Sequence, residues 1–327
     1  MPRTRSSASR CCVSSPGWRS VVEVCPEVQE ALSQGRPVVA LETAVVSHGL
    51  PSPLALEAAE QMELEVRAAG AVPATVAALD GRIVAGTSKE AVEKLTRPGT
   101  WKVAERDLPL AVARGVTGGL TVSATLAVAD RLGIPVVATG GVGGVHLGGS
   151  HTWDVSSDLQ ALARYPVAVV CSGAKAVCDP QLTLEYLDTA GVTVVGYRTD
   201  RFPYFYARDS GFPVPHSVDS PEQVAAVLLA KRALGQRTGL LVTNPPPEEA
   251  ALPLEEVQRA VRAAVARASA QAVRGADLTP YLLSALADLT AGRSLEANVA
   301  LLRSNARLAG RVAVALEQAP AEHRGTA

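Results

Sequence analysis

Four segments of this chain carry residues whose types and spacing suit chemistry. In the first, Val38-Val39-Ala40-Leu41 runs into Glu42-Thr43 and then Ser47-His48-Gly49-Leu50-Pro51, so a carboxylate ends an apolar run. A carboxyl group whose pKa is raised by burial serves as a general acid; the competing role for Glu42 is a helix cap or a salt-bridge partner. The second segment, Val167-Ala168-Val169-Val170-Cys171-Ser172-Gly173-Ala174-Lys175, enters a turn of small residues that carries a lysine. Lysine occurs only at positions 89, 94, 102, 175 and 231, against 26 arginines. A chain that uses arginine for its surface charge and keeps lysine here points to a task arginine cannot perform, losing a proton to become a nucleophilic amine. An ordinary solvated lysine is the competing reading.

The third segment is Ala138-Thr139-Gly140-Gly141-Val142-Gly143-Gly144-Val145-His146-Leu147-Gly148-Gly149, followed by an oxygen-rich stretch from Ser150 to Asp158. Glycines after an apolar run let the backbone approach a phosphate or a sugar closely. The match to a dinucleotide-binding loop is weak, because no helix pattern opens directly after the glycines. Asp154 to Asp158 offers a hard divalent cation one carboxylate plus waters. His146 and His151 read as structural hydrogen-bonding residues rather than zinc ligands. In the fourth segment, Lys102 to Pro109 and Thr117-Gly118-Gly119-Leu120-Thr121-Val122-Ser123 combine a lysine with a glycine–threonine turn before a helix. That combination suits an anion cradle, with a plain N-cap at Thr117 or Thr121 as the alternative.

The elements that must position these segments follow from hydrophobic periodicity. Strands are expected at Val38 to Leu41, Ala74 to Leu79, Pro135 to Ala138, Val167 to Cys171, Val192 to Tyr197 and Gly239 to Thr243. Helices are expected at Leu54 to Ala69, Thr121 to Leu132, Leu182 to Ala190 and Pro221 to Leu234, several of them closed by Gly70, Gly133 or Gly191. The alternation predicts an α/β fold, a three-layer α/β/α body around a central sheet that is mostly parallel or mixed. Ligands of such sheets collect at the carboxyl ends of the strands, where the four segments lie. Leu254 to Gln318 has no strand pattern and reads as two or three helices packed on the sheet. Residues 1–20 read as a disordered extension, 21–318 as a single domain and 319–327 as a polar tail.

Composition excludes several classes of function. With 327 residues, 47% of them hydrophobic, the chain can bury a large core. A net charge of -1 and 4% aromatic residues argue against a nucleic-acid polymer or an anionic membrane surface as partner. No apolar run reaches the length of a membrane span. Five cysteines without CxxC spacing argue against a disulfide framework or a zinc knuckle and suit a reducing compartment, so a cytoplasmic location is expected. Residues 1–20, with four arginines, six serines and no acid, are compatible with an organelle transit peptide, which would make the location mitochondrial.

Taken in order, Val38 to Pro51, Gly70 to Thr75, Arg106 to Ser123, Thr139 to Asp158, Val169 to Lys175 and Gly239 to Pro247 resemble the pseudouridine-5′-phosphate glycosidase family, over about residues 21 to 315. The resemblance implies an α/β/α fold, a homotrimer, one divalent metal per subunit, usually manganese, and reversible conversion of pseudouridine 5′-phosphate and water to uracil and ribose 5-phosphate. It implies Glu42 as the proton donor, Lys175 as the covalent amine, Asp154 as the metal ligand, and Lys102, Val122, Ser156, Ser157 and Asp158 as substrate contacts. Thr43 stands where the family has serine, and Leu147 where a basic residue often follows the histidine. Pseudouridine joins ribose to uracil through carbon, so the two-carboxylate scheme of ordinary glycosidases does not transfer. An amine adding at C1′ of the opened sugar provides the missing electron sink, and protonation of uracil C5 then breaks the bond. The rival readings are another lysine-imine phosphosugar lyase or aldolase and a non-catalytic phosphosugar-binding protein. A sugar kinase lacks support, since no catalytic aspartate in a glycine-rich motif is evident near the C-terminus.

Overall fold

The computed structural model describes residues 21–271, 273 and 278–320. The extension expected over 1–20 and the tail beyond residue 320 lie outside the described residues. Strands run at Val22–Val24 (β1), Val38–Leu41 (β2), Val72–Leu79 (β3), Arg82–Ala85 (β4), Trp101–Val103 (β5), Gly118–Leu120 (β6), Val136–Ala138 (β7), Ala168–Cys171 (β8), Thr193–Tyr197 (β9), His216–Val218 (β10) and Leu240–Thr243 (β11). Their order across the sheet is β1-β4-β3-β2-β7-β8-β11-β9-β10, with β6 paired to β3 and β5 to β6. Pairing is antiparallel only where β3 meets β4 and β6. From β3 through β10 the main row is parallel.

β2, β7, β8 and β11 are buried at every position, as strands covered on both faces must be. One face is covered by the helices Ser52–Ala68, Pro221–Ala233 and Arg293–Gln318, which pack on one another; the other by Val122–Leu132, Ser157–Arg164 and Pro180–Thr189. The three-layer α/β/α architecture and mixed sheet expected from the sequence are therefore present, and all six expected strands are found within two residues of their expected ends. Gly70, Gly133 and Gly191 follow their helices with φ of 91°, 75° and 69°, the left-handed turn that closes a helix. Leu254–Ala270, Leu278–Leu289 and Arg293–Gln318 are the helices of the C-terminal section, and the last of them lies on β2, β7 and β8. No described helix is long and apolar enough to cross a membrane.

One local expectation is corrected. Thr117 to Leu120 was expected as a glycine–threonine turn, but Gly118–Leu120 forms β6, wedged between β3 and β5. Its two glycines remove side chains where strand and neighbours meet closely; a Cβ on Gly118 would lie 2.5 Å from Val103 Cγ2.

Candidate active site

At the carboxyl edge of the sheet, the ends of β2, β7, β8 and β5 converge on a narrow cleft whose lining includes Glu42, His48, Lys102, Thr139, Lys175, Phe205 and Asn298. Glu42 follows β2 directly, and its neighbour Thr43 fixes it. Thr43 Oγ1 donates to the Val76 carbonyl (2.6 Å) and accepts from Leu120 N (3.0 Å), pinning the end of β2 between β3 and β6. Glu42 itself is 2% exposed. Its Oε2 accepts a hydrogen bond from Thr139 Oγ1 (3.3 Å), while Oε1 is buried without a partner. Burial pushes the Glu42 carboxyl well above the usual carboxylate range; Lys175 pulls it back, Asp158 raises it and Lys102 lowers it.

Lys175 reaches the same cleft through a tight turn after β8. Gly173 has φ 79°, and a Cβ there would sit 2.4 Å from the Pro203 carbonyl oxygen, so the turn demands glycine. The segment then pairs with the glycine-rich loop: Val142 N donates to the Gly173 carbonyl (3.1 Å) and Lys175 N to that of Val142 (2.9 Å). The Lys175 amine makes no hydrogen bond among the described residues. Lys102, in the middle of β5 opposite Gly119, is the second amine of the cleft. Burial, and then the charge of Lys175, hold its pKa below the usual lysine range.

The other expected substrate contacts lie together outside the lining of this cleft, near enough for the Asp158 charge to act on Lys102. Asp158, 3% exposed, accepts from Ser123 N at Oδ1 (2.9 Å) and from Gly143 N at Oδ2 (2.8 Å). It thereby ties the N-terminus of Val122–Leu132 to the glycine-rich loop. Ser156 Oγ caps Asp158 N (3.2 Å), and Ser157 Oγ lies 3.2 Å from Ser123 Oγ. A Cβ on Gly143 would come within 2.1 Å of Ser156 Oγ, so this corner closes only around glycine. Val122, Ser156, Ser157 and Asp158 thus form one corner of helix N-terminus and hydroxyls, the arrangement that favours an anion. Leu147 is turned away from this work: its amide donates to the Val177 carbonyl (3.1 Å) and its side chain packs on the core.

Asp154 is not among the residues lining the cleft; its carboxylate is half-exposed, with Oδ1 3.2 Å from His146 Nδ1. That Nδ1 is buried and has no hydrogen-bond partner. Among the described residues no group of three or more His, Cys, Asp and Glu side chains converges on one point. The donors at Asp154 fit a hydrated hard cation held through one carboxylate, and not a closed cage of protein ligands.

Three lining residues were given no role from the sequence. Asn298 projects from Arg293–Gln318 and is 2% exposed, with a buried Oδ1 that has no partner. Asn298 and Asn305 lie two turns apart on the mainly apolar buried face of that helix, and an amide on such a stripe was the available signal. Phe205, with φ 54°, packs its ring over Gly141. His48 has Nδ1 2.7 Å from Ser47 Oγ; burial, and then Lys102, lower its pKa.

Comparison with known proteins bears on this cleft. The family model described as indigoidine synthase A like protein matches residues 27–315. The pseudouridine-5′-phosphate glycosidase of Methylobacterium nodulans is 52% identical over 91% of this chain and 89% of its own length. That of Rhodospirillum centenum is 54% identical over 90% of this chain and 92% of its own. Among solved structures, the prealnumycin C-glycosynthase AlnA in complex with ribulose 5-phosphate superposes with a TM-score of 0.85 at 38% identity, covering 92% of this chain and 99% of that one. An indigoidine synthase A-like protein from Thermotoga maritima gives 0.83 at 38% identity, over 91% and 97%. With its fold and nearly its whole length matched, the chain belongs to the indigoidine synthase A like protein family and, within it, to the enzymes of the pseudouridine-5′-phosphate glycosidase family.

Proposed function

We propose that this enzyme cleaves the carbon–carbon glycosidic bond of pseudouridine 5′-phosphate, reversibly, through an imine on Lys175. The observation that carries the reading is that Glu42 Oε1, Asn298 Oδ1 and the amines of Lys102 and Lys175 share one cleft and have no hydrogen-bond partner in the protein. Buried polar atoms are almost always satisfied, so two unsatisfied ones, Glu42 Oε1 and Asn298 Oδ1, beside two half-buried amines around one space mark where a polar ligand completes the set.

In this reading Lys102, the Val122 amide and the hydroxyls of Ser156 and Ser157 meet the 5′-phosphate, and Asp158 holds that corner in shape. The solved relative that carries ribulose 5-phosphate supports a pentose phosphate as the sugar. The Phe205 ring offers a face to a planar base, and the Asn298 amide matches the alternating donors and acceptors on the edge of uracil. The furanose opens as the C1′–O4′ bond breaks, its electron pair leaving on O4′, which takes up a proton, while uracil N1 gives up its proton and a C1′=C5 double bond forms. The Lys175 amine in its unprotonated form then adds to C1′, and the displaced electron pair and the proton the amine loses return to N1. Glu42 then gives its proton to uracil C5, the C1′–C5 electron pair stays with the uracil, and an imine forms between C1′ and Lys175. Water adds to the imine and releases ribose 5-phosphate. The raised pKa of Glu42 suits this step, because the acid must still hold its proton near neutral pH. Asp154 would hold a hydrated divalent ion, manganese in this reading, which when bound organises water and polarises substrate oxygens. Homotrimeric assembly and a cytoplasmic setting belong to the same reading, and the free cysteines Cys25, Cys171 and Cys178 suit a reducing compartment.

The decisive experiment is an assay for uracil released from pseudouridine 5′-phosphate by the purified chain, with and without manganese. Release that needs the 5′-phosphate supports the reading. Retro-aldol cleavage of other phosphosugars without uracil release would replace it with a lysine-imine aldolase.

A further inference from the structure

Further along the carboxyl edge of the sheet, where β9 and β11 end side by side, a second and larger cleft of about 440 Å3 opens. Arg198 leaves the end of β9, and Arg208 comes from the loop beyond it. Arg303 and Arg307 enter one turn apart from the helix Arg293–Gln318. Four guanidinium groups thus face the cleft against one lining carboxylate, Glu249.

Two of the four are partly occupied. Arg303 and Arg307 each turn Nε and Nη2 to the carboxylate of Glu65, at 2.7 to 3.2 Å, which offsets one charge and leaves Nη1 of each without a protein acceptor among the described residues. Arg198 donates only from Nε, to the Asp219 carbonyl (2.9 Å), with its guanidinium 5.2 Å from the centre of the Tyr197 ring. Arg208 donates only from Nη1, to the Pro246 carbonyl (2.7 Å). Arg198 also has φ 54°, a conformation that a non-glycine residue keeps only where its surroundings impose it, and that recurs at ligand clamps. The floor is the buried amide of Asn244, which donates to Ser304 Oγ and to Asn305 Oδ1, both at 3.0 Å. Asn305 in turn donates to the Thr139 carbonyl (2.9 Å), so this cleft and the catalytic one share a polar wall.

We propose that this cleft is a second anion site, distinct from the catalytic one, for a small phosphate ester of nucleotide size. Arginine forks with free donors match phosphate oxygens two at a time. The volume far exceeds a bare anion and falls in the range of pockets that hold an organic molecule, and Pro245 and Pro247 give its non-phosphate part an apolar wall. The proposal stands on residues other than Glu42, Lys102 and Lys175, so it survives or fails independently of the glycosidase reading.

The test is calorimetric titration of the full-length protein with adenosine 5′-monophosphate, comparing wild type, Arg198→Ala/Arg208→Ala and Lys102→Ala. Both arginines are exposed and neither holds Glu65, so the double variant keeps the fold, checked by circular dichroism. The expected result is AMP affinity lowered about tenfold or more in the double variant, with KM for pseudouridine 5′-phosphate unchanged, and the reverse pattern in Lys102→Ala. No AMP binding by wild type would overturn the proposal, as would binding lost only with Lys102. A smaller oligomer on sedimentation of the double variant would also overturn it, showing the cleft to be a contact between copies of this chain.

Discussion

Glu65 and Glu42 are carboxylates of the same α/β/α body, 7% and 2% exposed, yet they are held in opposite ways. Glu65, on Ser52–Ala68, receives the guanidinium groups of Arg307 and Arg303, and the hydrogen bond from Arg307 above all holds its pKa below the usual carboxylate range. It clamps one helix to another. Glu42 has a hydroxyl on one oxygen and nothing on the other, and burial drives its pKa up. The lysines divide in the same way. Lys231, 5% exposed, gives its three protons to Thr193 Oγ1, Gln236 Oε1 and Thr238 Oγ1 at 2.8 to 3.1 Å, which is all an ammonium can donate. Lys175 and Lys102 face the cleft, and their amines make no hydrogen bond among the described residues. Burial alone therefore does not single out chemistry; incomplete hydrogen-bond shells that share one cleft with ionisable groups do.

Variants on the two sides of this contrast should fail in different assays. Lys175→Arg keeps a positive charge and removes the amine, so uracil release should fall by about 10⁴-fold or more with the fold intact, measured as kcat. Next comes Glu42→Gln, which keeps the shape and removes the transferable proton. Its kcat should drop by about 10² to 10⁴-fold. The wild-type rate should fall as pH rises through the raised Glu42 pKa, since only the protonated acid donates, and Glu42→Gln should lose that limb of the profile. Asp154→Ala should lower manganese content, read by atomic emission, together with activity; metal content equal to wild type would remove Asp154 as a ligand.

On the structural side, Glu65→Gln should leave kcat unchanged and lower stability by about 1–2 kcal/mol at neutral pH, read by denaturant unfolding. Its pH dependence follows from the depressed pKa. The Glu65 contribution is present above the pKa of an unfolded glutamate and is lost as pH falls through the folded value, so wild type and variant should converge in acid. Glu42 has the opposite sign. Its folded pKa is raised, so its ionisation opposes folding as pH rises, and Glu42→Gln should be the more stable protein at neutral pH, by about 1 kcal/mol, with the advantage shrinking toward acid.

The core of the fold was legible because its strands are short apolar runs with turn residues at both ends, and the paired helices close on glycines. The outer strands were harder. β1, β5, β6 and β10 have three residues each, and β6 begins with two glycines, so neither alternation nor propensity marks them. β4 had a readable signal: Asp80-Gly81 joins Leu79 to Arg82 with φ of 50° and 83°, the two-residue hairpin turn that Asp-Gly favours. In the site, Glu42 and Lys175 stood out because each follows a buried run in a chain with few lysines. Phe205 did not, since its part in the cleft depends on packing over Gly141, a contact between segments far apart in sequence.

Covalent trapping tests the central claim most directly. Incubation of the chain with ribose 5-phosphate and borohydride, followed by peptide mass mapping, should place one reduced pentose phosphate on the peptide containing Lys175, in wild type and in Glu42→Gln alike. Lys102, whose pKa burial lowers, is a second amine in the cleft, so the location of the adduct matters as much as its presence. An adduct on Lys102, or none on either lysine while uracil release proceeds, would contradict the account.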